Sequence, residues 1–318
     1  MTTEIYLRAI EPPRAMPVVA DHICAFTGMT AHGDALQLWI PQLVESNVFG
    51  YEESPGFARF PRSQAEVQFS ARLAIVSLLS ESFADLADLK CAFPVVQTLP
   101  NCEVLVASSR CHRWEDGSFE LNAEVYGNDG RLRSEFCLGD GLEHVQADTQ
   151  GRIWVGYTDE GVYGNYGWGF EPVGALGLAC FDVQGTRIWE YAAPSGAPPV
   201  SDCYVMNVAE DAVWACYYTD FPIVRIDSQF QIQAWRSDLS GPRQLAVAGE
   251  MVLAYGGYQD KANDCWLLRL SDEIAERVSE VKLRLPDGFD LNAATVIGRD
   301  KFLHVFANQL WFRFEVPA

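Results

Sequence analysis

Five apolar stretches of nearly equal length recur along the chain, each introduced by a tight polar turn and each apolar on both faces. After residue 93 no stretch with amphipathic helical spacing separates them. Together these observations predict an all-β fold, a β-propeller of six four-stranded blades closed by the N-terminal strand. The stretches are "CEVLVASS" (102–109), "RIWVGYTD" (152–159), "AVWACYYTD" (212–220), "MVLAYGGYQD" (251–260) and "KFLHVFANQ" (301–309). Pro100, Gln150, Glu210, Glu250 and Asp300 mark the turns before them, at spacings of 50, 60, 40 and 50 residues. A strand apolar on both faces needs cover on both, which stacked blades supply and a half-exposed sheet does not.

In chain order, residues 1–92 read as an irregular first blade plus the closing strand, and 93–318 as regular blades of one domain. "EIYLRAI" (4–10) is expected to supply the missing fourth strand of the last blade, protecting an otherwise open edge. "DHICAFTG" (21–28), "ALQLWIPQLV" (35–44) and "AEVQFSARLAIVSLL" (65–79) are strands of the first blade. Ser80–Lys90 is expected to be a helix, because Phe83, Leu86 and Leu89 recur every three residues after a capping serine. Each second strand but the last is then followed by two more, clearest in 176–193, where two strands flank an Asp-x-x-Gly turn. Trp189, Trp214, Trp235, Trp266 and Trp311 are expected in the core, as is His304 within its apolar strand.

Composition narrows the function classes. The 23 basic and 43 acidic residues leave a net charge of −20, which repels phosphate backbones and disfavours nucleic acid as a partner. The longest apolar run, Leu73–Leu79, is far shorter than the ~20 residues of a membrane helix, so no membrane partner is expected. The first residues alternate charged and apolar side chains without the apolar segment of a signal peptide. Nine scattered cysteines without a C-x-x-C pair fit buried, reduced thiols. A cytoplasmic location is the expectation.

Two stretches resemble known repeats. "GRIWVGYTDEGV" (151–162) resembles the propeller repeats of two-component-regulator sensor proteins. "LACFDVQGTRIWEY" (178–191) is similar to the quinoprotein-like repeat, in which an Asp-x-x-Gly turn precedes a Trp strand. Each likeness covers about one blade. It implies a propeller repeat and carries neither a catalytic residue nor a quinone cofactor.

The functional signal lies in Thr158–Gly174, the connection after the strand 152–157, where the next unit uses only "TDFP". A connection this long is usually functional, and its Tyr163, Tyr166, Trp168 and Phe170 would leave much apolar area in water unless it folds back. The reading is a lid at the channel mouth. Candidate ligand-binding residues are Glu143, His144, Asp159, Glu160, Asn165, Tyr166, Trp168 and Asp220. Strand-end acids also cap turns through their own backbone, which is the competing role for Asp220 and Asp260. No serine-hydrolase, zinc-protease or phosphate-loop motif is present. The function expected is a non-catalytic scaffold for a protein or small-molecule ligand, without a cofactor. The alternative is a calcium-dependent hydrolase or lactonase with Asp159 and Glu160 as metal ligands, since Ca²⁺ takes 6–8 oxygens and carboxylates supply them.

Overall fold

The computed structural model describes residues 3–53, 59–286 and 289–317. Its six antiparallel blades are those of a β-propeller, and they fall three and three into two compact units. One unit spans Val19–Tyr191, the other Met1–Val18 with Ala192–Ala318.

In the Val19–Tyr191 unit each blade runs in simple chain order. The first consists of His22–Met29, Ala35–Pro41, Gln64–Val76 and Glu81–Cys91. Pro94–Leu99, Glu103–Ser108, Ala123–Tyr126 and Leu132–Phe136 form the second. The third holds Leu142–Ala147, Ile153–Tyr157, Leu178–Phe181 and Arg187–Glu190. The second blade shows why alternation is lost. Leu105 and Ala107 enter a core shared with the third blade, while Val104 and Val106 enter one shared with the first. A period of two survives, but both faces are wrapped in apolar neighbours.

The segment expected to be helical is the strand Glu81–Cys91, the outer strand of the first blade. Leu89 pairs with Phe69 and Leu86 with Ala71, so three residues on one strand oppose two on the other. This bulge, with Asp88 at φ 60°, returns Leu86 and Leu89 to the same buried face at three-residue spacing. A bulged strand therefore imitates one turn of a helix.

The other unit repeats the arrangement. Its first blade is Asp202–Val208, Ala212–Tyr218, Ile223–Asp227 and Ile232–Trp235. The next is Gln244–Ala248, Met251–Tyr255, Cys265–Ser271 and Ile274–Arg284, with Thr3–Arg8 added in parallel as a fifth strand. The last is Thr295–Arg299, Phe302–Ala307 and Leu310–Glu315, completed by Arg14–Ala15. The N-terminal segment thus does complete the last blade, but with Arg14–Ala15. The stretch expected there, 4–10, instead covers the edge of the neighbouring blade. Trp214 and Trp311 are buried as expected. Trp189, Trp235 and Trp266 are only half-buried. They lie on later strands of their blades, Trp189 against Trp154 and Trp235 stacked on Trp214. His304 is 1% exposed, and its Nδ1 accepts from Trp311 Nε1 at 3.1 Å.

Candidate functional site

Within the Val19–Tyr191 unit, the connections from second to third strand of three consecutive blades meet. Their described residues are 42–53 with 59–63, 109–122 and 158–177. The last is the long aromatic and glycine-rich stretch of the sequence. Thr158 caps its short helix Asp159–Tyr163, accepting from Gly161 N–H at 3.4 Å. The chain then folds back so closely that a Cβ on Gly167 would lie 1.8 Å from the Arg113 carbonyl oxygen, and Gly167 sits at φ +87°. Glycine is required there on both counts.

Arg110 ties the second and third of these connections together and reaches the first through a ring contact. It is 5% exposed, and its Nε and Nη2 donate to the two oxygens of Asp140 at 2.9 and 2.8 Å. Its Nη1 donates to Glu160, whose other oxygen accepts from Asn165 Nδ2 at 3.1 Å. Asp140 is 2% exposed and also accepts the Cys111 N–H at 2.9 Å. Burial pushes the Asp140 carboxyl up from its ordinary value, and the guanidinium beside it opposes that. A fork-to-fork pair fixes orientation as well as charge, so this buried arginine sets the spacing of the loops around it.

Aromatic rings stand over the arginine. The guanidinium carbon is 4.2 Å from the Tyr166 ring centroid and 5.7 Å from that of Phe60. Tyr166 meets Phe60 and His112 edge to face at 5.9 Å each, and its hydroxyl donates to the Pro61 carbonyl at 2.8 Å. Burial raises that phenol to about 12, so it stays a donor at neutral pH. Trp168, 6% exposed, donates from Nε1 to the Cys111 carbonyl at 2.8 Å. The strap carrying His112 is tied down by Glu120, which accepts the His112 N–H at 2.7 Å and the Ser63 hydroxyl at 3.0 Å.

Above these rings lies a pocket of about 320 Å³, lined by Glu52, Glu53, Phe60, His112, Asn165 and Tyr166, with Gly167 at its edge. Glu52 and Glu53 belong to the hairpin strand Tyr51–Glu53, and Glu52 pairs in register with Phe60. Other depressions in the structure lie elsewhere. One of about 590 Å³ is lined by Thr30, His32, Asp34, Pro100 and Asn101, at turns between first and second strands, the opposite end of the blades.

Of the residues singled out from sequence, the structure brings Glu160, Asn165, Tyr166 and Trp168 together here. Asp159 is exposed and accepts the N–H of Glu160 at 2.8 Å. Glu143 is exposed at a bulge between Leu142 and His144, and His144 is half-buried on that strand; neither lines the pocket. Asp220 belongs to the other unit, exposed in a turn at φ 67°. Calcium does not fit Asp159 and Glu160. Both Glu160 oxygens are engaged by cationic or amide donors, and the Asn165 oxygen accepts the Tyr166 N–H at 2.9 Å. Among the described residues no group of three or more His, Cys, Asp or Glu side chains is arranged around a metal position. Sequence reasoning missed Arg110, Asp140, His112 and Phe60. The one local signal was Asp140 between Gly139 and Gly141, both at positive φ, in a chain where buried aspartates are few.

The blades and this loop cluster define the chain as a β-propeller repeat protein. Residues 178–313 match the family described as YxzG. No curated protein matches the sequence. Among solved structures the chain is similar to a virginiamycin B lyase from Staphylococcus aureus, at 10% identity over 96% of this chain and 99% of that one, with a TM-score of 0.43. It is similar to a gluconolactonase from Xanthomonas campestris at 10% identity, 97% and 100% coverage and a TM-score of 0.41. A PQQ-bound aldose sugar dehydrogenase from Streptomyces coelicolor gives 10% identity, 96% and 98% coverage and a TM-score of 0.47. No activity follows from likenesses of that depth.

Proposed function

We propose that the protein is a cytoplasmic binding scaffold whose ligand, a small molecule or a side chain of a partner protein, sits in the pocket framed by Phe60, His112 and Tyr166. One observation carries the reading. A buried Arg110, held by Asp140 and Glu160, ties the connections of the second and third blades together and lies 5.7 Å from the Phe60 ring of the first blade's connection, beneath an open, aromatic-walled hollow. Such preorganisation lowers the ordering cost of binding, and aromatic walls supply contact area at small entropic expense. Nine scattered cysteines without a C-x-x-C pair accord with a reducing compartment.

The test is ligand-observed NMR with a set of amine, carboxylate and sugar fragments, comparing the wild type with Phe60→Ala and Tyr166→Leu. Binding fragments should compete with one another and lose at least fivefold in affinity in both variants, each checked for native circular dichroism. Fragment binding that both folded variants retain in full would place the ligand elsewhere and overturn the reading.

A further inference from the structure

We infer that this pocket selects a cationic group, an alkylammonium or guanidinium, with Glu52 as its counter-charge; the inference rests on the binding reading above. Four observations point the same way. First, among the described residues no lysine or arginine lines the pocket, while Glu52 and Glu53 do. Glu53 faces Arg59 across the hairpin, which offsets part of its charge. Glu52 instead faces Phe60, a pocket wall, and lies near enough to act on the Tyr166 phenol.

Second, the arginines close by are committed. Arg110 is shared by two carboxylates, Asp140 and Glu160, and is itself buried. Arg113 turns to Glu171 at 3.6 Å and lies over Trp168 at 5.5 Å, while Arg59 lies 5.3 Å over Tyr51. Third, the walls are the rings of Phe60, Tyr166 and His112; phenyl and phenol faces attract cations, and the Tyr166 and Phe60 rings already take the Arg110 guanidinium at 4.2 and 5.7 Å. Fourth, about 320 Å³ is at the small end of ligand pockets, the size of one amine-tipped side chain or a short polyamine. An anionic ligand would face Glu52 and Glu53 with no lysine or arginine among the described lining residues to meet it. The chain's −20 charge also draws cations toward this surface.

Calorimetric titration separates the sources of the cation. The probes are spermidine, methylguanidinium, a neutral hexapeptide bearing one lysine, the same peptide with that lysine acetylated, and acetate. Spermidine or methylguanidinium binding tighter than the peptide marks a small-molecule ligand; the reverse marks a partner's side chain. Either supports the inference if Glu52→Gln weakens binding at least fivefold at 150 mM salt while Glu115→Gln, on the exposed rim of another connection, changes it less than twofold. Binding unchanged by Glu52→Gln, or acetate and the acetylated peptide binding as well as the amines, overturns it. If Phe60-dependent fragments bind without preference for cations, the charge inference fails and the pocket stands. If Phe60→Ala alters nothing, the pocket itself is wrong.

Discussion

Arg110 and Asp140 together bury a full ion pair, and such pairs act more through geometry than through net stability. Replacing one partner leaves the other charge without compensation, at a cost of about 3–5 kcal/mol. Arg110→Ala is therefore expected to lower the unfolding free energy by that amount in urea titrations, whereas Arg110→Met combined with Asp140→Leu should recover most of the loss. Failure of the double variant to recover would show that the loops need the fork itself. A second residue-scale expectation concerns Cys137, whose sulfur lies 3.6 Å from that of Cys111. The hydrogen bond it shares with the Cys111 thiol and the one it accepts from the Gly139 N–H hold its pKa below the ordinary thiol value although burial opposes them. Its alkylation rate, followed by peptide mass spectrometry, should reach half-maximum below the free-thiol value of about 8.5. Cys111→Ala should move that midpoint upward. An unchanged midpoint would mean the hydrogen bond does not set its reactivity.

At the scale of single elements, the strand Phe302–Ala307 contains the clearest titration switch. Burial, reinforced by Arg313 and Arg299, lowers His304 from 6.5 to about 3. The folded protein thus keeps a neutral imidazole where the unfolded chain takes up a proton. Stability from this residue is full above pH 6.5 and drains as the pH falls toward 3, by about 1.4 kcal/mol per unit. Between pH 7 and 5 the wild type should lose about 2 kcal/mol more than His304→Gln in denaturant titrations, the remaining carboxylates cancelling in the comparison. Equal losses would contradict a requirement for the neutral ring. The strand Glu81–Cys91 teaches a different lesson about elements. Leu86 and Leu89 carried a helix-like period because Asp88 bulges, and a bulge is invisible to a count of apolar spacings.

For the molecule as a whole, the excess of 43 acidic over 23 basic residues sets the behaviour in salt. Like charges spread over a folded surface repel, and salt screens exposed charges within about 10 Å at 0.1 M. The melting temperature is expected to rise between 20 and 200 mM NaCl. A fall would mean that the exposed pairs, such as Arg72–Asp85 and Arg277–Asp238, outweigh the repulsion. The same excess disfavours anions throughout, and the pocket between the three connections expresses it locally.

The blades were legible from sequence because their cause is local and repeated. An apolar strand that needs cover on both faces announces itself within six residues, and tight turns punctuate it, as in Ile153–Tyr157 and Phe302–Ala307. The long connection 158–174 was legible for the same reason, as an interval too long and too aromatic for a plain turn. Its chemistry was not. The guanidinium of Arg110 finds Asp140 thirty residues on and Glu160 fifty residues on, and Phe60 comes from another blade altogether. Such meetings depend on how blades stack, which no local pattern encodes. The N-terminal strands follow the same rule: their apolar character showed that they pair, and only the free edges of two different blades decided where.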